Sequence, residues 1–104
     1  MLPFLLPPTK TTISCTKSTL AIGASVICTA TVTGVYASLT GTATWTMVAG
    51  PGSVAFSSKT CTLSGGKCTV KLTGTVAGNV TIEAAYGGDP NNSGSSGTAS
   101  IKIR

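Results

Sequence analysis

The strongest constraint on the fold is a two-residue alternation of apolar and hydroxyl-bearing side chains that begins at Thr11 and continues to the end of the chain. It is clearest in residues 28–33, Cys-Thr-Ala-Thr-Val-Thr, and in residues 42–47, Thr-Ala-Thr-Trp-Thr-Met. Successive side chains of a β-strand point to opposite faces of its sheet, so a period of two indicates half-buried strands. No segment has helical periodicity. The chain is therefore predicted to be all-β.

Glycine, serine, asparagine and proline residues divide the alternating segments into seven predicted strands. At 104 residues, the chain has the length of one two-layered β-sandwich domain. Alternation places Met47 on the inward face of the third predicted strand. It also predicts a core that includes Trp45, Phe56, Ile82, Tyr86 and Ile101. We expect residues 11–104 to form the sandwich and residues 1–10 to form a proline-rich apolar segment outside it.

Five short motifs follow one another along this sandwich region: Thr11–Cys15, Cys28–Thr33, Gly41–Trp45, Leu63–Gly66 and Ile82–Asn92. In this order and spacing they resemble the group 3 Ig-like repeat domains of bacterial and archaeal surface proteins. The resemblance implies a seven-stranded antiparallel Ig-like β-sandwich with Greek-key topology. It also implies an extracellular module that spaces, displays or polymerises on a surface, with neighbouring Ig-like domains or identical subunits as partners. The cysteines depart from the family, which more often has aliphatic residues at the first two positions.

Four cysteines allow three disulfide pairings, and the predicted strand register selects one of them. Cys61 and Cys68 flank a predicted hairpin turn at 64–66, which places them opposite each other. Cys15 and Cys28 lie on inward faces of the first two strands. We therefore predict the bridges Cys15–Cys28 and Cys61–Cys68, each joining two neighbouring strands rather than the two sheets. Disulfides in turn indicate an oxidising, extracellular compartment, although intracellular proteins of hyperthermophiles also contain them.

The sequence offers few groups for catalysis. It has no histidine, and Glu83 and Asp89 are its two acidic residues, so general acid–base chemistry has few candidates and the chain is predicted not to be an enzyme. No cofactor is expected. Asp89 is a weak calcium candidate, since tight calcium sites recruit several carboxylates, and an Asx turn is the preferred interpretation of its loop. Asn79 and Asn91 begin N-glycosylation sequons, of which Asn91 is the better candidate.

Seven basic residues give the chain a formal net charge of +5. They are spread along the sequence, and five aromatic residues are too few to suggest base stacking, so nucleic-acid binding is not expected. A basic surface does favour acidic glycans or anionic cell walls, and surface glycans are candidate partners. No apolar stretch approaches the 18 or so residues of a membrane-spanning helix, so direct membrane insertion is not expected.

The N-terminal segment is apolar and contains three prolines in its first eight residues. One interpretation is a linker to another part of a longer protein. Another is that Phe4, Leu5 and Leu6 donate a strand to the sheet edge of an identical subunit. The leading functional hypothesis is thus a non-catalytic structural or adhesion module. The alternatives are a pilus-like filament built by donor-strand insertion and a carbohydrate-binding module.

Overall fold

The structure is a computed structural model that describes residues 7–35 and 39–104. Within these residues it contains nine β-strands and no helix. The strands are β1 (Thr9–Cys15), β2 (Thr19–Leu20), β3 (Ser25–Gly34), β4 (Thr42–Ala49), β5 (Ser53–Phe56), β6 (Thr60–Thr62), β7 (Lys67–Val76), β8 (Gly78–Tyr86) and β9 (Ser95–Ile103). The predicted all-β class is confirmed.

Two sheets pack face to face. One has four strands in the order β1-β3-β7-β5, and the other has five in the order β2-β9-β8-β4-β6. Without β2 and β6, these are the A-B-E-D and G-F-C orders of an Ig-like β-sandwich. The predicted Ig-like fold is therefore confirmed, with two short strands more than the seven expected. One of the additions also makes the only parallel pairing of the described strands, because β2 runs parallel to β9.

The first predicted strand divides between the sheets. β1 begins at Thr9, two residues before the predicted start of the sandwich, and pairs antiparallel with β3 through Cys15. The chain then crosses to the other sheet, where Thr19 and Leu20 pair with Lys102 and Ile103. Leu20 is buried there, whereas Ile22 is 55% exposed. A strand that changes sheets in this way ties the two layers together at one side of the sandwich.

The predicted hairpin around residues 64–66 is correct only at its turn. Ser64 and Lys67 form an isolated bridge across the turn, but the flanking strands separate at once, with β6 on β4 and β7 in the opposite sheet. The segment before the turn is held by the other sheet instead, because Thr60–Thr62 pairs with residues 42–44 of β4 and the backbone N–H of Leu63 donates to the carbonyl of Gly41.

The core lies between the sheets and is built from the inward residues of the alternating strands. Trp45, Ile82, Tyr86 and Ile101 are each 3% exposed or less, while Phe56 is half-buried and packs against the core. The inward prediction for Met47 is wrong, because 42% of this residue is exposed. It lies beyond the end of β6, where the pairing of β4 with β8 shifts register between Met47 and Ala49.

Candidate functional site

The disulfide Cys61–Cys68 joins the two sheets. Cys61 lies on β6 of the five-stranded sheet and Cys68 on β7 of the four-stranded sheet. The predicted pairing is confirmed, but the prediction that both bridges stay within a sheet is wrong for this one. The indole N–H of Trp45 donates to the Sγ of Cys61 over 3.1 Å. The bridge thus supplies both a covalent link between the layers and the acceptor for a buried donor.

The disulfide Cys15–Cys28 has a different setting. It joins directly opposed residues of β1 and β3, within one sheet, with 4.0 Å between their Cα atoms. Cys28 is fully buried, while Cys15 is half-buried at the end of β1. This bridge holds the edge strand to its neighbour at the point where the chain leaves for the other sheet.

One side of the sandwich, which we call the closed seam, is formed where β1 meets β9 and β2. The hydroxyl of Ser95 lies 2.7 Å from the hydroxyls of both Thr9 and Thr11, and Thr11 is only 4% exposed. A Cβ atom on Gly97 would collide with the carbonyl oxygen of Thr11, so the two backbones are in contact. Threonine and serine side chains, which are usually found on protein surfaces, therefore make the contact between the two sheets at this seam.

The opposite side, which we call the stapled seam, is formed where β5 and β7 meet β4 and β6. Here the sheets are joined by Cys61–Cys68, and the rings of Trp45 and Phe56 are 6.3 Å apart. Because β6 pairs only with 42–44, residues 46–49 of β4 have no strand partner on that side among the described residues. We call 46–49 the open edge. Met47 and Val48 are 42% and 49% exposed along it.

The chain enters the sandwich at the opposite end from the open edge. The carbonyl of Pro7 accepts a hydrogen bond from the backbone N–H of Ser93, in the loop after β8, and Thr9 pairs with Gly34. The open edge instead lies beside the first residues of β8, where Ala49 pairs with Thr81. The candidate donor residues Phe4, Leu5 and Leu6 lie outside the described residues.

Asp89 organises the loop between β8 and β9. Its Oδ2 accepts hydrogen bonds from the backbone N–H and the hydroxyl of Thr40, and its Oδ1 accepts one from the backbone N–H of Asn91, which makes an Asx turn. The side-chain amide of Asn92 donates to both carboxylate oxygens. These donors, led by the N–H of Thr40, hold the pKa of Asp89 well below its usual range.

This arrangement does not favour the weak calcium hypothesis. A calcium ion needs the lone pairs of the carboxylate, and in Asp89 they face N–H and O–H donors. No group of three or more histidine, cysteine, aspartate or glutamate residues clusters in the described ranges. Asn92, in the same loop, is fully buried, and its Oδ1 has no partner in the described structure.

Tyr86 connects the same loop region to the core. The phenol lies at the end of β8 and donates to the carbonyl of Thr40 over 2.6 Å. Burial, followed by the nearby charge of Asp89, raises the pKa of Tyr86. Tyr86 and Asp89 thus both attach to Thr40, one through its carbonyl and the other through its N–H and hydroxyl.

The remaining candidate residues lie on the surface. Glu83 is on the outward face of β8 between Thr46 and Thr98, whereas Asp89 is in the loop beyond the strand. The two carboxylates therefore do not lie opposite each other on paired strands. The glycosylation candidates Asn79 and Asn91 are both exposed, the first on β8 and the second in the loop. The part of the chain described here contains no helix that is long and apolar enough to span a membrane.

No family model matches the sequence, and no curated protein matches it either. Two solved structures share the fold. The D00-D0 domain of intimin superposes with a TM-score of 0.65 at 18% identity over 90% of this chain, which spans 45% of the intimin chain. A conjugative transposon lipoprotein from Bacteroides eggerthii has a TM-score of 0.54 at 12% identity, over 90% of this chain and 96% of its own. At these identities the likeness establishes the fold, which is an Ig-like β-sandwich also found in bacterial proteins.

Proposed function

We propose that the chain is a non-catalytic structural module of an extracellular surface protein. The observation that carries the proposal is the inter-sheet bridge Cys61–Cys68 against Trp45, with a second bridge at Cys15–Cys28. Two disulfides in so small a domain suit an oxidising compartment, where a modest core gains most from cross-links. The likeness to a domain of intimin supports the surface assignment.

Location and oxidation state are tested together on cells that produce the protein. Intact cells are treated with a membrane-impermeant amine reagent, and a lysed sample is treated in parallel. The exposed lysines of a surface module react in both samples. A second portion of the cells is lysed in the presence of an alkylating agent. The disulfides of the protein are then mapped by non-reducing peptide analysis, which should recover Cys15–Cys28 and Cys61–Cys68. Labelling only after lysis, or alkylated cysteines, would reject the proposal.

A second candidate function is head-to-tail assembly through the N-terminal segment. The specific observation is that the chain enters the sandwich at one end, near Ser93, while the open edge lies at the other end of β8. An N-terminal segment that leaves one subunit near Ser93 is positioned to add a strand to the open edge of the next subunit. The exposed side chains of Met47 and Val48 would supply apolar contacts for Phe4, Leu5 and Leu6.

Assembly is tested by light scattering and electron microscopy of the full chain. Removal of residues 1–6 and, separately, Val48→Lys should both abolish filaments, because one removes the donor and the other places a charge on the acceptor edge. Ile22→Lys is the matched control, since Ile22 is similarly exposed at the closed seam. A full-length chain that stays monomeric at high concentration, or filaments that survive both changes, would exclude this function.

A further inference from the structure

The outer face of the four-stranded sheet carries three lysines and neither of the two acidic residues. Alternation turns Lys10 of β1 and Lys67 and Lys71 of β7 outward, and all three are exposed. Neither acid of the chain lies on this sheet, because Glu83 is on β8 and Asp89 follows it. No ion pair involves these lysines in the described structure, so the face carries uncompensated positive charge.

Two rows of hydroxyl groups lie between Lys10 and Lys71, while the row of Lys71 itself contains the exposed Ile27. The register aligns Thr12, Thr31 and Lys67 in one row across β1, β3 and β7, and Ser14, Thr29 and Thr69 in the next. Neighbouring rows on one face are about 7 Å apart, and neighbouring strands are about 5 Å apart. We call this surface the Lys–Thr face.

The positions of the lysines suit an extended ligand. Lys67 and Lys71 are four residues apart on one strand, which corresponds to about 13 Å between their Cα atoms. Lys10 lies two strands from Lys67 and one row further along, about 12 Å away. Charges at such spacings do not converge on one small anion, but they can contact successive acidic groups of a polymer.

The chemistry of the face distinguishes among polyanions. No aromatic side chain lies on the outward positions of these strands, so nucleotide bases would find no stacking partner. Lysine contributes hydrated point charges, whereas the planar fork that suits bidentate phosphate binding belongs to arginine. Serine and threonine hydroxyls both donate to and accept from sugar hydroxyls. Charge and hydroxyl complementarity together favour a polysaccharide that carries carboxylates.

From this we propose that the Lys–Thr face binds an acidic polysaccharide of the polyuronate type. The three lysines would contact successive carboxylates, while the hydroxyl rows would bond to the sugar hydroxyls between them. Such binding goes beyond the proposed structural role and does not depend on the location of the protein. It predicts an affinity that falls steeply with salt, since the ligand is held mainly by charge.

The test compares two triple variants of the full chain that have the same net charge. K10Q/K67Q/K71Q neutralises the Lys–Thr face, whereas K59Q/K102Q/R104Q removes three charges associated with the other sheet, where Lys102 is on β9 and Arg104 bonds to Leu20. Each variant lowers the net charge from +5 by three, to +2. Binding to alginate is measured by calorimetry at low and high salt, with dextran as the neutral polymer and duplex DNA as the competing polyanion.

The wild type should bind alginate and leave dextran unbound. The face variant should bind alginate about tenfold more weakly or worse, whereas the control variant should change by less than about threefold. Unfolding midpoints check that both variants remain folded, as exposed lysine substitutions normally do. No binding to alginate, equal weakening in the two variants, or tighter binding of DNA than of alginate would each overturn the proposal.

Discussion

The two seams of this sandwich are closed by different chemistry. At the closed seam, many weak contacts act together: the parallel pairing of β2 with β9, the shared hydroxyl of Ser95 and the backbone contact of Gly97 with Thr11. At the stapled seam one covalent bridge, Cys61–Cys68, and the indole of Trp45 hold the sheets, while the open edge has no partner strand within residues 7–35 and 39–104. The first seam spreads its stability over several groups, and the second concentrates it in one.

The largest expected effect comes from removing the bridge of the stapled seam. C61A/C68A should lower the free energy of unfolding by about 3–5 kcal/mol, because it releases the cross-link and leaves the buried N–H of Trp45 without its acceptor. Urea denaturation followed by the fluorescence of Trp45, the only tryptophan, measures the loss. C61S/C68A should regain about 1 kcal/mol, since a serine hydroxyl can accept that hydrogen bond.

The companion variant C15A/C28A decides whether the position of the bridge matters. Loop entropy alone predicts about 3 kcal/mol for the longer loop of Cys15–Cys28 and about 2.5 kcal/mol for the shorter loop of Cys61–Cys68. The contact of Cys61–Cys68 with Trp45 predicts the reverse order, in which C61A/C68A lowers the free energy of unfolding by about 1 kcal/mol more than C15A/C28A does. Equal losses, or a larger loss for C15A/C28A, would mean that the contact with Trp45 contributes little.

The next effect tests how tightly the closed seam is packed. Gly97→Ala should destabilise the protein by about 1–3 kcal/mol, because the new Cβ would meet the carbonyl of Thr11 and force β1 away from β9. Gly87→Ala is the matched control, since its Cβ would have no neighbour closer than 3.9 Å, and it should change stability by less than about 0.5 kcal/mol. Thermal unfolding compares the two, and a neutral Gly97→Ala would show that the seam is loosely packed.

A smaller effect is expected from a single hydroxyl of the closed seam. Ser95→Ala removes contacts to both Thr9 and Thr11 and should cost about 1–2 kcal/mol, and Thr11→Val should cost about 1 kcal/mol. In the double variant the losses should not add, with a coupling of about 0.5–1 kcal/mol. Chemical denaturation of the four proteins gives this coupling. Fully additive losses would mean that the two hydroxyls stabilise the seam independently.

The smallest expected effect on stability at neutral pH comes from replacing Asp89. This residue lies in the loop that connects β8 to β9 and bonds to Thr40 ahead of β4. Hydrogen bonds from Thr40 and its neighbours hold the pKa of Asp89 below its value of about 4 in an unfolded chain. The stabilisation by Asp89 is therefore complete above about pH 4 and is lost as the pH falls below it. Asp89→Asn should show a flatter decline of the unfolding midpoint between pH 5 and pH 2, and identical declines would contradict this role.

Much of the fold could be predicted because alternation is a local property. In β3 the residues Val26, Cys28, Ala30 and Val32 are all buried, as their period of two requires. The disulfide pairs also followed from strand positions. The prediction for Met47 failed for a non-local reason, since its burial depends on how far β6 extends along β4. The predicted hairpin between β6 and β7 also failed for a non-local reason, because β6 pairs with β4 of the other sheet, a strand distant from it in sequence.

The candidate surfaces were less predictable. The sequence marked Asp89 as a loop residue, but its bonds to Thr40 join segments 49 residues apart. Ser95 and Thr11 look like ordinary surface residues until β1 and β9 are placed side by side. The charge of the Lys–Thr face was visible only as a scattered excess of lysines, because Lys10 and Lys67 share a surface only through the register of β1, β3 and β7.

Local patterns were sufficient to predict an all-β sandwich, most of its inward residues and its two disulfide pairs, because these depend on a period of two and on the positions of the strands. The packing of the strands was needed to show that Cys61–Cys68 joins the sheets, that hydroxyl groups close one seam and that 46–49 has no strand partner there among the described residues. Those features depend on contacts between segments that are distant in sequence, and a local pattern of residues does not encode such contacts.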